Sequence, residues 1–124
     1  MGYELLILKK GKVKETSWND IKEAIYMLVQ LVPIGKVVSY SAIAKVLGIS
    51  PRTVARALVQ NPMPIIVPCH RVIMKNRNLG GYTPRNPQFK RKLLEIEGVA
   101  FENSKVSRTS IYDKELWHKL DLSL

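Results

Sequence analysis

Cysteine occurs once in this chain, within Pro68-Cys69-His70-Arg71-Val72. A thiol acts as a nucleophile in its thiolate form, which nearby positive charge favours. Residues 24–94 contain no Asp or Glu but eleven Lys and Arg, and Cys69 lies inside that interval. The same charge attracts polyanions, so one segment points to both a reactive sulfur and a nucleic-acid partner. His70 offers an imidazole, and a basic imidazole needs an orienting acceptor. The interval holds no carboxylate, which leaves Glu95 and Glu97 as the nearest downstream candidates. Neighbours in an extended chain point to opposite sides, so a bridging water is expected to carry the proton between Cys69 and His70. The plainer reading is an inert, buried cysteine. His70, Arg71 and the exit from a short apolar run, Ile65-Ile66-Val67, expected to be buried, weigh against it.

The elements that must position Cys69 are legible in part. Ser17 is placed to cap a helix starting at Trp18, whose apolar residues Ile21, Ala24, Ile25, Leu28, Val29 and Val32 recur at helical spacing until Pro33 and Gly35. Ser39 or Ser41 caps a short helix through Leu47, closed by Gly48, and Ser50-Pro51 opens the next. Helix, glycine turn, helix is the layout of a helix-turn-helix, although two helices also meet at a turn in many all-α proteins. On the second helix Arg52, Arg56 and Gln60 share a face with small neighbours Thr53 and Ala55, which favours DNA contact. Asn61-Pro62-Met63-Pro64 breaks that helix, and residues 72–74 read as a strand followed by a turn at residues 75–78. Gly80-Gly81-Tyr82-Thr83-Pro84 is a loop, residues 88–97 a helix closed by Gly98, and the tail carries another helix with Tyr112, Leu116, Trp117 and Leu120 on its apolar side.

At 124 residues with 46% apolar content the chain has room for one domain with a real core. Its net charge of +10 favours an anionic partner. A single cysteine excludes an internal disulfide, no CxxC or histidine cluster suggests a metal, and no apolar run is long enough for a membrane span. Lacking a signal-peptide pattern, the chain is expected to be cytoplasmic.

Five blocks in order, Gly35-Lys36-Val37-Val38-Ser39-Tyr40, Asn61-Pro62-Met63-Pro64, Pro68-Cys69-His70-Arg71-Val72, Gly80-Gly81-Tyr82-Thr83 and the KRKLLEIEG of residues 90–98, resemble the O6-alkylguanine-DNA alkyltransferases. The resemblance spans about residues 18–99. It implies a mainly α (α+β) fold: a winged helix-turn-helix-like alkyltransferase domain over 18–99, a short N-terminal hairpin over 1–17 in place of the larger domain most members carry, and a C-terminal extension with a helix over 100–124. The Trp117 helix is expected to cover apolar surface that such a domain would otherwise shield.

The resemblance also implies a chemistry. The protein would bind double-stranded DNA containing alkylated guanine as a monomer, from the minor groove, and rotate the damaged base out of the stack. Cys69 would take the alkyl group irreversibly from O6-alkylguanine, with O4-alkylthymine as a further substrate, in a single turnover and without metal or cofactor. His70 would be the water-mediated base oriented by Glu97. Tyr40 would turn the nucleotide and donate a proton to the departing guanine, Asn61 would act as a hinge, and Lys90 would lie near the active site. Arg56 corresponds to the arginine finger. Arg52, Thr53, Ser39, Gln60, Arg71 and Tyr40 complete the DNA-contacting set, with small Ala55 and Ala57 fitting the groove. Gly81, Tyr82, Thr83 and Val72 would form the base pocket. The family's usual Ser-Gly-Gly after the pocket tyrosine is here Thr83-Pro84-Arg85-Asn86, and the loss of those glycines is expected to stiffen that wall. Two rivals remain: a non-enzymatic lesion binder similar to alkyltransferase-like proteins, and a winged-helix DNA-binding regulator with a structural cysteine.

Overall fold

The computed structural model describes residues 17–80 and 87–120; the expected N-terminal hairpin and the Gly81, Tyr82 and Thr83 pocket wall lie outside them. Helix α1 is Trp18–Gln30. It begins where Ser17 Oγ accepts from the Asp20 amide and the Asp20 carboxylate accepts from the Ser17 amide, a reciprocal capping box. Its apolar stripe buries Ile25, Leu28 and Val29. Helix α2, Tyr40–Leu47, is capped by Ser39 and ends at Gly48, whose φ of 69° suits glycine at a left-handed helix end. Helix α3, Pro51–Val59, starts at Ser50 with proline in its first turn and buries Val54, Ala57 and Leu58. These helices share a core with Val38, Val67, Cys69, Val72 and Leu116.

Two strands of two residues each join this core to the cysteine. β1, Val38–Ser39, pairs in parallel with β2, Val72–Ile73, with Val38 opposite Val72 and Ser39 opposite Ile73. The turn before β2 therefore lies against the strand that leads into Tyr40. That turn, Cys69–Arg71, is a 3-10 helix. The extended backbone expected around Cys69 is thus corrected: the chain coils there, and both Cys69 and His70 are buried. The expectation of a buried Ile65-Ile66-Val67 run is corrected as well. Ile65 and Ile66 are 53% and 70% exposed, and Val67 alone enters the core. The cause is local: the Asn61 side chain donates to Val67 O and accepts from the Met63 amide, closing a tight loop that turns the isoleucines outward.

Helix α4, Pro87–Ile96, is followed by Gly98 at φ 93°. The tail then forms a hairpin that the sequence pattern did not announce, β3 Phe101–Glu102 antiparallel to β4 Lys105–Val106. A 3-10 turn, Arg108–Ser110, leads to helix α5, Asp113–Lys119. Leu94, Val99 and Val106 make a second core with Val37 and Ile73. The tail is stitched to the residue before β1 by backbone bonds, Val37 N to Ser110 O at 2.9 Å and Tyr112 N to Val37 O at 2.7 Å. Leu116 is fully buried and Tyr112, Trp117 and Leu120 pack on the main core, on the helix side read from the sequence.

Candidate active site and DNA interface

Cys69 is 6% exposed and opens the turn that carries His70 and Arg71. His70 is fully buried, and its Nε2 lies 2.9 Å from Glu97 Oε2. Arg71 donates to both oxygens of the same carboxylate, Nε to Oε1 and Nη2 to Oε2 at 2.9 Å each, and its Nη1 donates to Val32 O at the end of α1. One carboxylate thus holds both residues that follow the cysteine. Of the two acids left open by the sequence, Glu97 is the one at His70; Glu95 pairs with Arg91 on the surface. Gly35 makes room for this arrangement: at φ 91°, any Cβ there would sit 3.2 Å from Glu97 O.

Burial lowers the His70 pKa, with Arg71 and Lys90 adding to the effect and Glu97 opposing it, so the imidazole is held neutral and able to accept a proton. Burial alone would raise the Glu97 carboxyl, but the hydrogen bonds and charges of Arg71 and His70 outweigh it and hold it low. Tyr40 has its phenol raised by burial and then by the neighbouring Cys69 charge, which keeps it a proton donor. Tyr26, unnoticed in the sequence, is raised for the same reasons and donates to Ala57 O at 2.7 Å, tying α1 to α3 beside the cysteine. Tyr26 falls outside the apolar spacing read along that helix, so no signal in the sequence pointed to it.

Lys90 is 1% exposed. Its Nζ donates to Val72 O at 2.7 Å and Leu79 O at 2.6 Å and lies 5.9 Å from the Tyr40 ring centroid. Burial pulls its pKa to about 8, opposed by Cys69. Between this value and the unfolded 10.5 the unfolded chain binds more protons, so stability from this group rises as pH rises across that window. The wild type is expected to gain on the order of 2 kcal/mol over Lys90→Met between pH 7.5 and 9.5 in urea titrations. Parallel curves for the two proteins would show that Lys90 is not buried as a cation.

The remaining candidates divide. Arg52, Arg56 and Gln60 are exposed along α3. Arg56 stacks 4.6 Å from the Trp18 ring centroid, and the Trp18 indole donates to Gln60 Oε1 at 3.1 Å, so an aromatic residue with no role foreseen beyond opening its helix organises this face. The Thr53 hydroxyl is 2.9 Å from that of Ser50. Four of the expected residues have buried or engaged side chains. Arg71 engages its guanidinium with Glu97 and Val32. Ser39 is 4% exposed, and its amide and hydroxyl donate to Asp113 at 2.8 and 2.7 Å. Val72 and Ala57 are fully buried and pack in the main core.

Residues 20–99 match the family model described as 6-O-methylguanine DNA methyltransferase, DNA binding domain. The chain is 50% identical over 78 residues to the methylated-DNA–protein-cysteine methyltransferase of Thermococcus barophilus, covering 63% of this chain and 43% of that protein. It is 48% identical over 80 residues to the one from Metallosphaera sedula, covering 64% and 50%. The chain therefore spans half or less of the length of these relatives. Among solved structures it resembles the O6-methylguanine-DNA methyltransferase of the hyperthermophilic archaeon Pyrococcus kodakaraensis, at 35% identity and TM-score 0.60 over 79% of this chain and 61% of that one. It resembles Mycobacterium tuberculosis OGT in complex with DNA at 39% identity and TM-score 0.59, over 63% and 48%. It also resembles S. pombe Atl1 in complex with damaged DNA containing O6-carboxymethylguanine, at 30% identity and TM-score 0.59, over 68% and 81%. With a cysteine, a buried histidine–glutamate pair and a capped helix-turn-helix in one framework, the chain belongs to the 6-O-methylguanine DNA methyltransferase, DNA-binding domain family.

Proposed function

We propose that this protein repairs alkylated DNA by moving an alkyl group from the O6 of guanine onto Cys69, once per molecule. The observation that carries the reading is the Cys69–Arg71 turn, in which the residue after the cysteine is a buried, neutral imidazole oriented by Glu97. His70 takes the thiol proton through a water, and the sulfur attacks the alkyl carbon. The carbon–sulfur bond forms as the carbon–oxygen bond to guanine breaks, and Tyr40 supplies the proton that the departing base takes up. The product thioether resists hydrolysis, which makes the protein a stoichiometric acceptor. Nothing in this balance calls for a cofactor.

In this reading α3 faces the groove, and Gly81, Tyr82 and Thr83 line the base pocket. Arg56 acts as the wedge only by leaving Trp18, whereas Arg52, exposed in the first turn of α3, needs no such release. Asn61 holds the loop between α3 and Cys69 in register. A lesion binder without transfer is the second reading, drawn from the likeness to S. pombe Atl1.

Incubation with duplex DNA containing O6-methylguanine, followed by intact-mass measurement, separates the readings. A gain of one methylene, mapped to the Cys69 peptide and lost in Cys69→Ser, is the expected result. Tight lesion binding with no mass change would establish the second reading instead.

A further inference from the structure

The C-terminal segment lies outside the residues matched by the family model, yet it packs at the corner where β1 runs into α2 and Tyr40. Asp113 fixes it there through Ser39, and Leu116 anchors it in the main core. Between α2 and α5 this leaves a pocket of about 470 Å³ lined by Ser41, Lys45, Lys75, Asp113, Lys114 and Trp117. The three lysines come from three separate elements: α2, the turn after β2, and α5. All three are exposed, and among the described residues no ion pair engages any of them. The pocket's own carboxylate, Asp113, is bound by the Ser39 amide and hydroxyl. Lys45 Nζ is steered into place by the Trp117 ring, 5.1 Å from its centroid. Three lysines around one concavity with no carboxylate paired to them favour an anion there.

A scattering of solvated lysines would account for charge but not for three of them lining one pocket with a serine and a tryptophan. The location narrows the ligand. Tyr40 lies between Ser39 and Ser41, both of which line the pocket, and feels the Cys69 charge. The pocket therefore adjoins the corner nearest the cysteine, where the backbone flanking a presented nucleotide is within its reach. We propose that the α2–α5 pocket is a phosphodiester site that extends the DNA interface from the helix-turn-helix onto the C-terminal segment. The ammonium groups of Lys45, Lys75 and Lys114 and the Ser41 hydroxyl hold backbone phosphate, and Trp117 meets the adjoining sugar. This inference rests on the DNA-repair reading above.

The test is DNA affinity of the full chain against salt, between 50 and 200 mM, by fluorescence anisotropy with a labelled duplex. Lys45→Ala/Lys75→Ala/Lys114→Ala is compared with wild type and with Lys36→Ala/Lys92→Ala/Lys105→Ala, which removes the same charge elsewhere. The pocket variant is expected to lower the slope of log affinity against log salt by about 0.9 for each phosphate it no longer neutralises, and to bind about tenfold more weakly at low salt. Thermal melting close to wild type confirms that the variant is folded. Wild-type slope and affinity in the pocket variant would overturn the site, as would an equal loss in the control variant, which would mark a general charge effect. Failure of the wild type itself to bind DNA would instead overturn the functional reading.

Discussion

Replacing Glu97 with glutamine is expected to slow alkyl transfer to Cys69 by roughly 10²–10⁴-fold, the range that a correctly positioned base contributes. The carboxylate accepts at once from His70 Nε2 and from two nitrogens of Arg71. A carboxamide keeps one acceptor oxygen and puts two N–H donors where the other stood, so it cannot accept from all three nitrogens. If its NH₂ faces His70, it donates to Nε2 and drives the ring proton onto Nδ1, the nitrogen that would otherwise take the thiol proton. The substitution is conservative in shape and disruptive in tautomer. It also leaves the Arg71 charge, on a side chain 12% exposed, without its carboxylate, at a cost of about 3 kcal/mol. Single-turnover mass kinetics and urea unfolding read the two effects separately. A Glu97→Gln protein that transfers at the wild-type rate would remove the His70–Glu97 pair from the mechanism.

The same pair fixes the direction of acid instability. Both groups have folded pKa values below their usual ones, so the unfolded chain binds more protons in each case. For His70, stability is present above about pH 6.5 and declines as pH falls below it. For Glu97 it is present above about pH 4.5 and is lost as pH falls further through the depressed value. The denaturation midpoint is expected to fall in two steps on acidification, and Glu97→Gln should erase the lower one. A single transition unchanged by the substitution would contradict this assignment.

What the sequence made legible is local chemistry. Ser17, Ser39 and Ser50 announce their helices because a cap acts within three residues, and Gly48 and Gly98 announce the ends for the same reason. The long stretch without acids narrowed the partner of His70 to Glu95 or Glu97, and the resemblance pointed to Glu97. The β1–β2 pair was not, since two residues of strand carry no periodicity and the partners lie 34 positions apart in Val38↔Val72. Arg71 read as a surface charge because the sequence shows a guanidinium but not the Val32 carbonyl and Glu97 carboxylate awaiting it. Ile65 read as buried from its side chain alone. Its φ of 76°, which a β-branched residue rarely adopts, is imposed in the loop that Asn61 closes, and no local pattern encodes it. The strand pairing and the Arg71 contacts depend on partners distant in sequence, whereas Ile65 depends on a backbone conformation that hydrophobicity does not report.

Removal of residues 104–124 is expected to unfold the domain. The segment supplies Leu116 to the main core and Val106 to the second, both fully buried, so its loss opens both cores together. It also takes away the two backbone bonds to Val37 and the Asp113 bonds to Ser39, leaving polar groups at the corner beside Tyr40 without partners. Truncating one buried leucine to alanine costs about 2–5 kcal/mol, and a small domain has only roughly 5–15 kcal/mol in total. The deletion therefore exceeds what the fold can lose, whereas Leu116→Ala alone should lower the melting temperature and leave a cooperative transition. Because Leu116 and Val106 lie in different clusters, Leu116→Ala and Val106→Ala should be nearly additive. Circular dichroism melts of the deletion, both single variants and the double variant test this. A deletion that melts at the wild-type temperature would mean that α5 merely rides on the surface. Strong non-additivity in the double variant would mean that the two cores act as one.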